Sequence, residues 1–380
     1  MLRSPLHDLH IELGAKMGPF AGFEMPLWYP SKIVAEHKHT RSQASLFDIS
    51  HMGQASIVGE DSATELEGLI PTDLKSLPLH RMHYCCFTAE NGGILDDLVI
   101  ACLGQDYFVV MNAARKEHDL NHLRTNIKNS AVLEHTENAL IALQGPKATE
   151  VLRRLTPEIC DLQFMTMGDF AIRGVPCIVS RSGYTGEDGF EISMAAETAM
   201  KLAKDLLNEP EVMPAGLGAR DSLRLEAGLR LYGQDMDTTT TPVEAGIQWT
   251  ISKSRRTDGA RPGGFPGSDV ILEQLTNGAN RRFVGMLPQG RAPVRTGTEI
   301  CLEDGETIGR VTSGLVAPSV GAPIAMGYID RDYASPGTQI SLLLRGKHVP
   351  AEVIRLPFVK HRYQNTVKIQ SNSSGGKSNV

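Results

Sequence analysis

The sequence predicts an α+β protein in which a mixed body is followed by a smaller domain built of strands. Up to about residue 250, segments with the hydrophobic spacing of helices alternate with apolar, strand-like runs. After residue 281 only short strand patterns recur, and Gly, Pro and Asp separate them, as in small β-barrels. Residues 253–268 lie between these regions. They are rich in Gly, Pro and basic side chains and have no period, which marks a domain boundary.

The elements of the body follow from periodicity and turn signals. Gly104-Gln105-Asp106 separates two apolar runs and predicts a turn between neighbouring strands. Cys85 and Cys86 are also expected on a strand, where adjacent side chains point to opposite faces. The predicted body elements are helices at 33–44, 62–68, 198–207 and 222–229, and strands at 95–102 and 107–111.

The C-terminal domain is predicted from six short strand patterns. These lie at 283–287, 299–303, 307–313, 324–329, 339–344 and 349–355. A β-barrel-like domain is the architecture that this spacing favours. We therefore expect a body at 3–257 and a β-rich domain at 281–366. Residues 370–380 contain almost no apolar side chain and are expected to form a disordered tail.

Composition argues against several classes of partner. The chain has 380 residues, of which 41% are hydrophobic and 22% charged, and its formal net charge is -6. It lacks the cationic surplus that a phosphate backbone requires, and no apolar run reaches about 18 residues. We expect no nucleic acid and no membrane among its partners. The expected compartment is the bacterial cytoplasm, with the mitochondrial matrix as the alternative for a processed eukaryotic chain.

Cysteine and histidine spacing does not indicate a metal site. The six cysteines contain no CxxC pair, so reduced and buried thiols are expected. His37 and His39 lie two positions apart on a predicted helix and point in different directions. A solvated helix face is the preferred interpretation for both. The Gly-rich run 183–189 lacks the Lys of a phosphate loop and the order GxGxxG, and no GxSxG occurs, so neither nucleotide binding nor a serine hydrolase is indicated.

Five separated motifs carry a resemblance to one family. They are FDISHMG at 47–53, GGILDDL at 92–98, GYTGEDGFE at 183–191, GARDSLRLE at 218–226, and VTSG at 311–314 with IAMGY at 324–328. In this order and over most of the chain, they resemble the T-protein of the glycine cleavage system. The resemblance implies a three-lobed cloverleaf with two interleaved N-terminal α+β lobes and a C-terminal β-barrel-like lobe around a central folate channel.

The same resemblance implies the activity and its partners. The implied enzyme is an aminomethyltransferase that uses tetrahydrofolate as co-substrate and needs no metal. Its implied macromolecular partner is the lipoylated carrier of the glycine cleavage system, the H-protein. Residues 253–295 hold eight cations and three acids, so this stretch is expected to offer a positive face to an acidic carrier, unless the cations scatter in space.

The motifs also imply site residues. Because strand side chains alternate, only one Asp of GGILDDL faces the pterin, and the resemblance implies that it is Asp96, as the catalytic group beside folate N10. Glu191 is implied in pterin binding and Arg220 in substrate binding. Further substrate-binding or folate-binding residues carried over from the family are Tyr84, Asn112, Tyr184, Met52, Trp249 and Tyr363. For the apolar ones, plain core packing is the competing interpretation.

Three related functions compete with this one. A folate-dependent demethylase of a sulfonium compound shares the fold and differs in its substrate mouth. A folate-binding repair factor for iron–sulfur proteins needs a Lys-Gly-Cys-aromatic segment, where this chain has TPVEAGI at 241–247. A flavoprotein folate oxidase needs a dinucleotide-binding region that the sequence lacks. The sulfonium demethylase therefore remains the main alternative.

Overall fold

The computed structural model describes residues 1–364, and these form eight α-helices and twenty β-strands. The helices are α1 (His7–Glu12), α2 (Ile33–Ser42), α3 (Ser62–Glu67), α4 (Lys116–Asn126), α5 (Ala148–Leu155), α6 (Ala196–Leu207), α7 (Leu217–Glu226) and α8 (Ser268–Asn277). The strands are β1 (Leu2–Arg3), β2 (Lys16–Phe20), β3 (Phe23–Trp28), β4 (Ala44–Asp48), β5 (Gly53–Val58), β6 (Met82–Thr88), β7 (Ile94–Leu103), β8 (Asp106–Met111), β9 (Ala131–Glu134), β10 (Asn138–Gln144), β11 (Met167–Ile172), β12 (Val175–Ser180), β13 (Gly189–Ala195), β14 (Val212–Pro214), β15 (Arg281–Pro288), β16 (Glu299–Cys301), β17 (Thr307–Ala317), β18 (Ala322–Asp330), β19 (Gln339–Leu344) and β20 (Lys347–Ile354).

The body consists of two interleaved lobes. One contains a six-stranded sheet in the order β11-β12-β13-β10-β4-β14, and the other a five-stranded sheet in the order β6-β7-β8-β5-β9. Strands β4 and β5 are neighbours in sequence and lie in different sheets, so the chain crosses between the lobes several times. A small sheet, β1-β3-β2, lies at the N-terminus. The mixed α+β fold predicted from the sequence is confirmed.

Helices cover the outer face of each sheet and leave the inner faces toward each other. Leu98 and Ile100 on β7 join Leu120 and Leu123 of α4 in the core of one lobe. Alternate residues of the same sheet, such as Ala101 and Phe108, pack instead with Met167 of the other lobe. Because side chains of a strand alternate between faces, each sheet builds its own core on one side and contributes to the middle of the molecule on the other.

The C-terminal strands close into a barrel in the order β15-β18-β17-β16-β19-β20. Apolar side chains such as Met286, Ile300, Ile329 and Leu342 fill its interior. All six strands predicted after residue 281 are present, and β19 has the predicted bounds. The β-barrel-like C-terminal domain is confirmed as a closed barrel. The predicted tail at 370–380 lies outside the described residues.

One helix begins earlier in the structure than the sequence predicts. Helix α7 begins at Leu217 rather than at residue 222. Gly216 and Gly218 argue against a helix there, because glycine is a poor helix former. A Cβ on Gly218 would lie 2.6 Å from the Ile33 side chain on α2, so the missing side chain lets the two helices approach closely. Tertiary packing therefore overrides local propensity at this position.

Two expectations about exposure were wrong. His37 does not lie on a solvated face: it is fully buried, with Nδ1 2.7 Å from the Ser222 hydroxyl and Nε2 3.0 Å from Glu226 Oε2. Its helix is polar on the side that packs against α7, so polarity did not signal exposure there. Cys160, expected among the buried thiols, is exposed on a short 3₁₀ turn. The other five cysteines are buried and free.

Candidate functional site

A polar cavity lies between the inner faces of the two sheets and the first turn of α7. Its walls carry Tyr84, Asp97, Tyr184, Glu191 and Arg220, and each of these side chains remains partly open to solvent. Burial nevertheless shifts the pKa of every one of these groups away from its ordinary value. Groups that are desolvated and still reached by solvent are typical of the lining of a ligand site.

Asp97, and not Asp96, faces this cavity. The resemblance implied Asp96, but Asp96 shares a face of β7 with Leu98 in the core of the lobe, whereas Asp97 shares the opposite face with Val99, which packs toward the other lobe. Asp97 pairs with Cys86, whose neighbours include Tyr84 on the cavity side. Asp96 pairs with Phe87 in the core of its own lobe and is fully buried. The structure therefore corrects the placement of Asp96 predicted from the sequence.

The Asp97 carboxyl group is held at the strand edge by Asn112. The Asn112 amide nitrogen donates to Asp97 Oδ1 at 2.9 Å and to the Asp97 carbonyl at 3.0 Å. The same nitrogen lies 3.0 Å from Asp96 Oδ1. Burial, and then the neighbouring Asp96 carboxyl, raise the pKa of Asp97 to about 7. Asp97 is thus poised to change protonation near neutral pH, as suits an acid or base catalyst.

Across the cavity, Glu191 and Arg220 face one another. Burial raises the pKa of the Glu191 carboxyl, and the Arg220 charge opposes this effect. The Ser182 hydroxyl donates to Glu191 Oε2 at 3.2 Å. Arg220 Nη1 is buried and has no hydrogen-bond partner among residues 1–364. A carboxylate and a guanidinium with unused bonding capacity are suited to a ligand that presents both donors and acceptors.

Tyr184 connects the two sides of the cavity. The Arg220 guanidinium lies over its ring, 5.0 Å from the centroid, and its hydroxyl donates to the Arg230 carbonyl. The nearby Asp97 carboxyl contributes to the raised pKa of Tyr184, after burial and against the Arg224 charge. The ring is therefore fixed at both ends and forms a rigid aromatic wall.

The remaining expected residues are placed as follows. Tyr84 adjoins Asp97 and stacks on Trp249 with ring centroids 5.5 Å apart, while Trp249 itself is 57% exposed. Met52 packs against the inner apolar cluster that contains Leu223. Tyr363 stacks on Phe164 with centroids 4.3 Å apart and lies near Arg41 and Glu187. The structure thus joins Tyr84, Tyr184 and Asn112 to the cavity and gives Trp249 and Tyr363 aromatic partners.

Sequence reasoning missed several groups that shape the site. Ser182 bonds Glu191, the Arg230 carbonyl fixes Tyr184, and Asp119 on α4 adjoins Asp96. His51 is 2% exposed, lies close to Arg220, and has a buried Nδ1 without a partner in the described part of the chain. His51 and Ser182 lie in or beside the quoted motifs, so proximity to a motif was a usable signal. Asp119 lies in no motif, so the sequence gave no signal for it.

The expected positive face at 253–295 does not form as one free patch. Arg255 is buried and paired with Glu67, Arg261 bonds Glu67 and Asp73, and Arg281 pairs with Glu244. Arg256 donates to backbone carbonyls. These cations hold the boundary segment onto the body instead of facing a partner. Lys253, Arg282, Arg291 and Arg295 remain exposed.

No helix of residues 1–364 is long and apolar enough to cross a membrane. Within the same residues, no group of three or more His, Cys, Asp or Glu side chains is arranged to hold a metal ion.

Two family models together match most of the chain. The GCVT N-terminal domain matches residues 6–255, and the glycine cleavage T-protein C-terminal barrel domain matches residues 281–360. These segments correspond to the two-lobed body and the closed barrel. The chain therefore belongs to the class of proteins that join a T-protein-like body to a C-terminal barrel.

Similar proteins agree with the family models. The mitochondrial aminomethyltransferase of Dictyostelium discoideum is 41% identical, with 95% of this chain and 93% of the relative covered. The mitochondrial aminomethyltransferase of Mus musculus is 44% identical, with 95% and 91% covered. A crystal structure of the glycine cleavage system aminomethyltransferase T from Bartonella henselae superposes with a TM-score of 0.89 at 39% identity, covering 96% of this chain and 99% of that one. The chain belongs to the glycine cleavage T-protein family and is an aminomethyltransferase.

Proposed function

We propose that this chain transfers the methylene carbon of an aminomethyl group from the lipoyl arm of the H-protein to tetrahydrofolate. Ammonia is released, and the products are 5,10-methylenetetrahydrofolate and the dihydrolipoyl carrier. The two hydrogens lost from the folate nitrogens N5 and N10 balance those gained by sulfur and by ammonia. The named relatives are aminomethyltransferases, which favours this reaction over demethylation of a sulfonium compound.

One observation carries the proposal: the Asp97 carboxyl adjoins both Tyr84 and Tyr184 in the cavity that also holds the Glu191–Arg220 pair. The residues suit a reduced pterin. Its ring edge offers N–H donors to an acceptor such as Glu191, and Nη1 of Arg220, which has no partner in the described chain, can donate to an acceptor oxygen. The rings of Tyr84 and Tyr184 give flat apolar walls. When bound, tetrahydrofolate supplies the nucleophilic nitrogens that take up the one-carbon unit.

The residues of this chain then have separate tasks. Asp97 accepts a hydrogen bond from the N10 hydrogen and receives its proton, which requires the ionised carboxylate. Asn112 orients that carboxylate through its bond to Oδ1. Glu191 and Arg220 hold the pterin, and Tyr184 keeps Arg220 in place. We assign Tyr363, Met52 and Trp249 to packing around the bound folate.

The test is ammonia release by the purified chain with tetrahydrofolate and aminomethylated H-protein. Asp97→Asn is expected to lower turnover by about 100-fold or more while folate binding persists, because the amide cannot take up the proton. Asp169→Asn on the exposed face of β11 is the matched control and should retain the parent rate. Unimpaired turnover in Asp97→Asn would remove Asp97 from the chemistry.

The mitochondrial names of the relatives also bear on the compartment. They support the mitochondrial matrix over the bacterial cytoplasm expected from the sequence. We propose the matrix as the place of action.

A further inference from the structure

A second carboxyl pair lies directly behind Asp97, in the core of the lobe. Asp96 and Asp119 are both fully buried and within hydrogen-bonding reach of each other. The Oδ2 atom of each has no donor among the described residues. Two carboxylates that face one another away from water repel strongly unless a proton lies between them. The geometry therefore requires one proton shared by the pair.

The surroundings place that proton on Asp96. Asp119 Oδ1 lies 3.0 Å from His118 Nδ1, and the Arg115 charge lowers the pKa of Asp119 against the effect of burial. Asp96 has neutral donors, namely the Asn112 amide, 3.0 Å from its Oδ1, and the Asp97 backbone N–H. Negative charge is therefore better stabilised on Asp119, farther from the cavity, and Asp96 is the neutral member.

We propose that Asp119 is a positioning residue of the transfer reaction: by sharing a proton with Asp96, it keeps that carboxyl neutral, so that the neighbouring Asp97 is the group that carries negative charge into the cavity. This inference rests on the proposed function of Asp97. It assigns a task to Asp119, which touches neither the cavity nor its ligand. Asn112 links the pair to Asp97, because its amide nitrogen contacts both carboxyl groups.

The groups that face these carboxyls come from several elements. Tyr84 and Cys86 on β6, and Tyr184, adjoin Asp97. Arg115, His118 and Tyr232 adjoin Asp119. Of these, only Arg115 is a fixed cation, and it lies on the Asp119 side. An ionised Asp96 would add a like charge next to Asp97 without a compensating cation of its own.

The first test is the pH dependence of kcat/KM in two variants. Activity needs ionised Asp97, so it falls as pH drops through the pKa of Asp97. In Asp119→Asn, the new amide donates to Asp96 and stabilises its ionised form beside Asp97, so the acidic limb is expected to move up by about one pH unit. Asp96→Asn replaces a neutral acid with a neutral amide, so the acidic limb is expected to stay within about 0.3 pH unit of that of the parent. If Asp119 had only a packing role, Asp119→Asn would not raise the acidic limb above that of Asp96→Asn.

The second test needs no folate and no turnover. At about pH 8, above the pKa of Asp97, infrared spectra of the ligand-free protein are expected to show the C=O stretch of a buried carboxylic acid. The absorption should persist in Asp97→Asn and disappear in Asp96→Asn and Asp119→Asn. Glu117→Gln, an exposed position on the same helix, is the control and should keep both the absorption and the parent pH profile.

The outcomes separate this inference from the proposed function. If the parent lacks the absorption, or if the acidic limb of Asp119→Asn coincides with that of Asp96→Asn, the shared proton is rejected even when transfer activity is present. If the absorption behaves as expected and no transfer is found, the acid pair stands and the proposed reaction falls. If Asp96→Asn or Asp119→Asn fails to fold, the spectra of the parent and of Asp97→Asn still show whether a buried carboxylic acid other than Asp97 is present.

Discussion

Single charged side chains in the cavity have capacity for further hydrogen bonds. Glu191 receives one hydroxyl bond from Ser182, and Arg220 keeps a buried Nη1 without a partner in the described chain. Burying such groups is unfavourable unless something completes their bonding. Their arrangement is therefore best understood as a site prepared for a polar ligand, with part of its energy gained only on binding.

A change at Glu191 tests this at the scale of one residue. Glu191→Gln replaces an acceptor-only group with one that also presents N–H donors. One of the two N–H donors on the pterin edge then faces another N–H donor instead of an acceptor. Tetrahydrofolate affinity measured by calorimetry is expected to weaken by about 1–3 kcal/mol. Glu150→Gln, at an exposed position of α5, should bind as the parent does. Equal affinities in the two variants would place the pterin elsewhere.

At the residue scale, the sequence revealed the acidic pair, but it did not show which of the two carboxyl groups faces the cavity. The motif GGILDDL marks Asp96 and Asp97 together, and alternation places them on opposite faces of β7 without deciding which face meets the cavity. That depends on which face packs against α4 and which turns to the other lobe, and such long-range packing is not contained in the strand pattern. Glu191, Arg220 and Tyr184 were predictable as members of one site because each belongs to a quoted motif.

At the scale of elements, α2 and α7 are joined by buried charges. Glu226 Oε2 lies 3.0 Å from both His37 Nε2 and Arg41 Nη2, and its Oε1 accepts the Ser319 backbone N–H at 2.7 Å. The sequence predicted both helices and assigned His37 and His39 to a solvated face. That inference failed for His37, because a polar side chain is buried when a partner on another element satisfies it.

Glu226→Gln is expected to destabilise the protein by about 3 kcal/mol at neutral pH, since it removes one of the two buried carboxylates that pair with Arg41. Burial acts to raise the pKa of Glu226, but His37 and Ser319 together lower it to about 2. A depressed pKa contributes stability above the unfolded value of about 4.3, and this contribution is lost as pH falls toward 2. Urea unfolding at several pH values should therefore show the two proteins converging below about pH 4.5.

Asp205→Asn provides the matched control, because Asp205 pairs with Lys201 on the exposed side of α6. This change is expected to cost less than about 1 kcal/mol at any pH. A loss of stability in Glu226→Gln no larger than that of the control would show that the buried ion pairs do not stabilise the α2–α7 contact.

At the scale of the whole molecule, the barrel was predictable and the interleaving was not. Six short strands separated by turn residues are a local signal, and each was found close to its predicted position. The two sheets of the body depend on long-range pairing: β4 binds β10 and β14, while the adjacent β5 binds β8 and β9. Local periodicity does not specify such partners, and here the family resemblance supplied them.

Asp235 joins the barrel to the body at one point. Its carboxylate accepts bonds from Arg224 Nη1 on α7 at 2.5 Å and from the hydroxyls of Thr312 and Ser313 on β17 at 2.6 Å each. The Asp235 carbonyl accepts a bond from the Tyr328 hydroxyl at 2.6 Å. Arg224 lies one helical turn beyond Arg220, so this contact also fixes the helix that carries a cavity residue.

Asp235→Ala is therefore expected to loosen the barrel and the folate site together. Removing the carboxylate leaves Arg224, which is 1% exposed, without its buried partner, at an expected cost of about 3 kcal/mol. Tetrahydrofolate should bind more weakly, although Asp235 is not assigned to its site, and amide exchange should accelerate in β17 more than in β7. Glu299→Gln, which breaks the exposed pair with Arg310 on the barrel surface, should change neither property measurably. If Asp235→Ala loses stability and binds folate with parent affinity, the barrel contributes to stability alone and does not help to position α7.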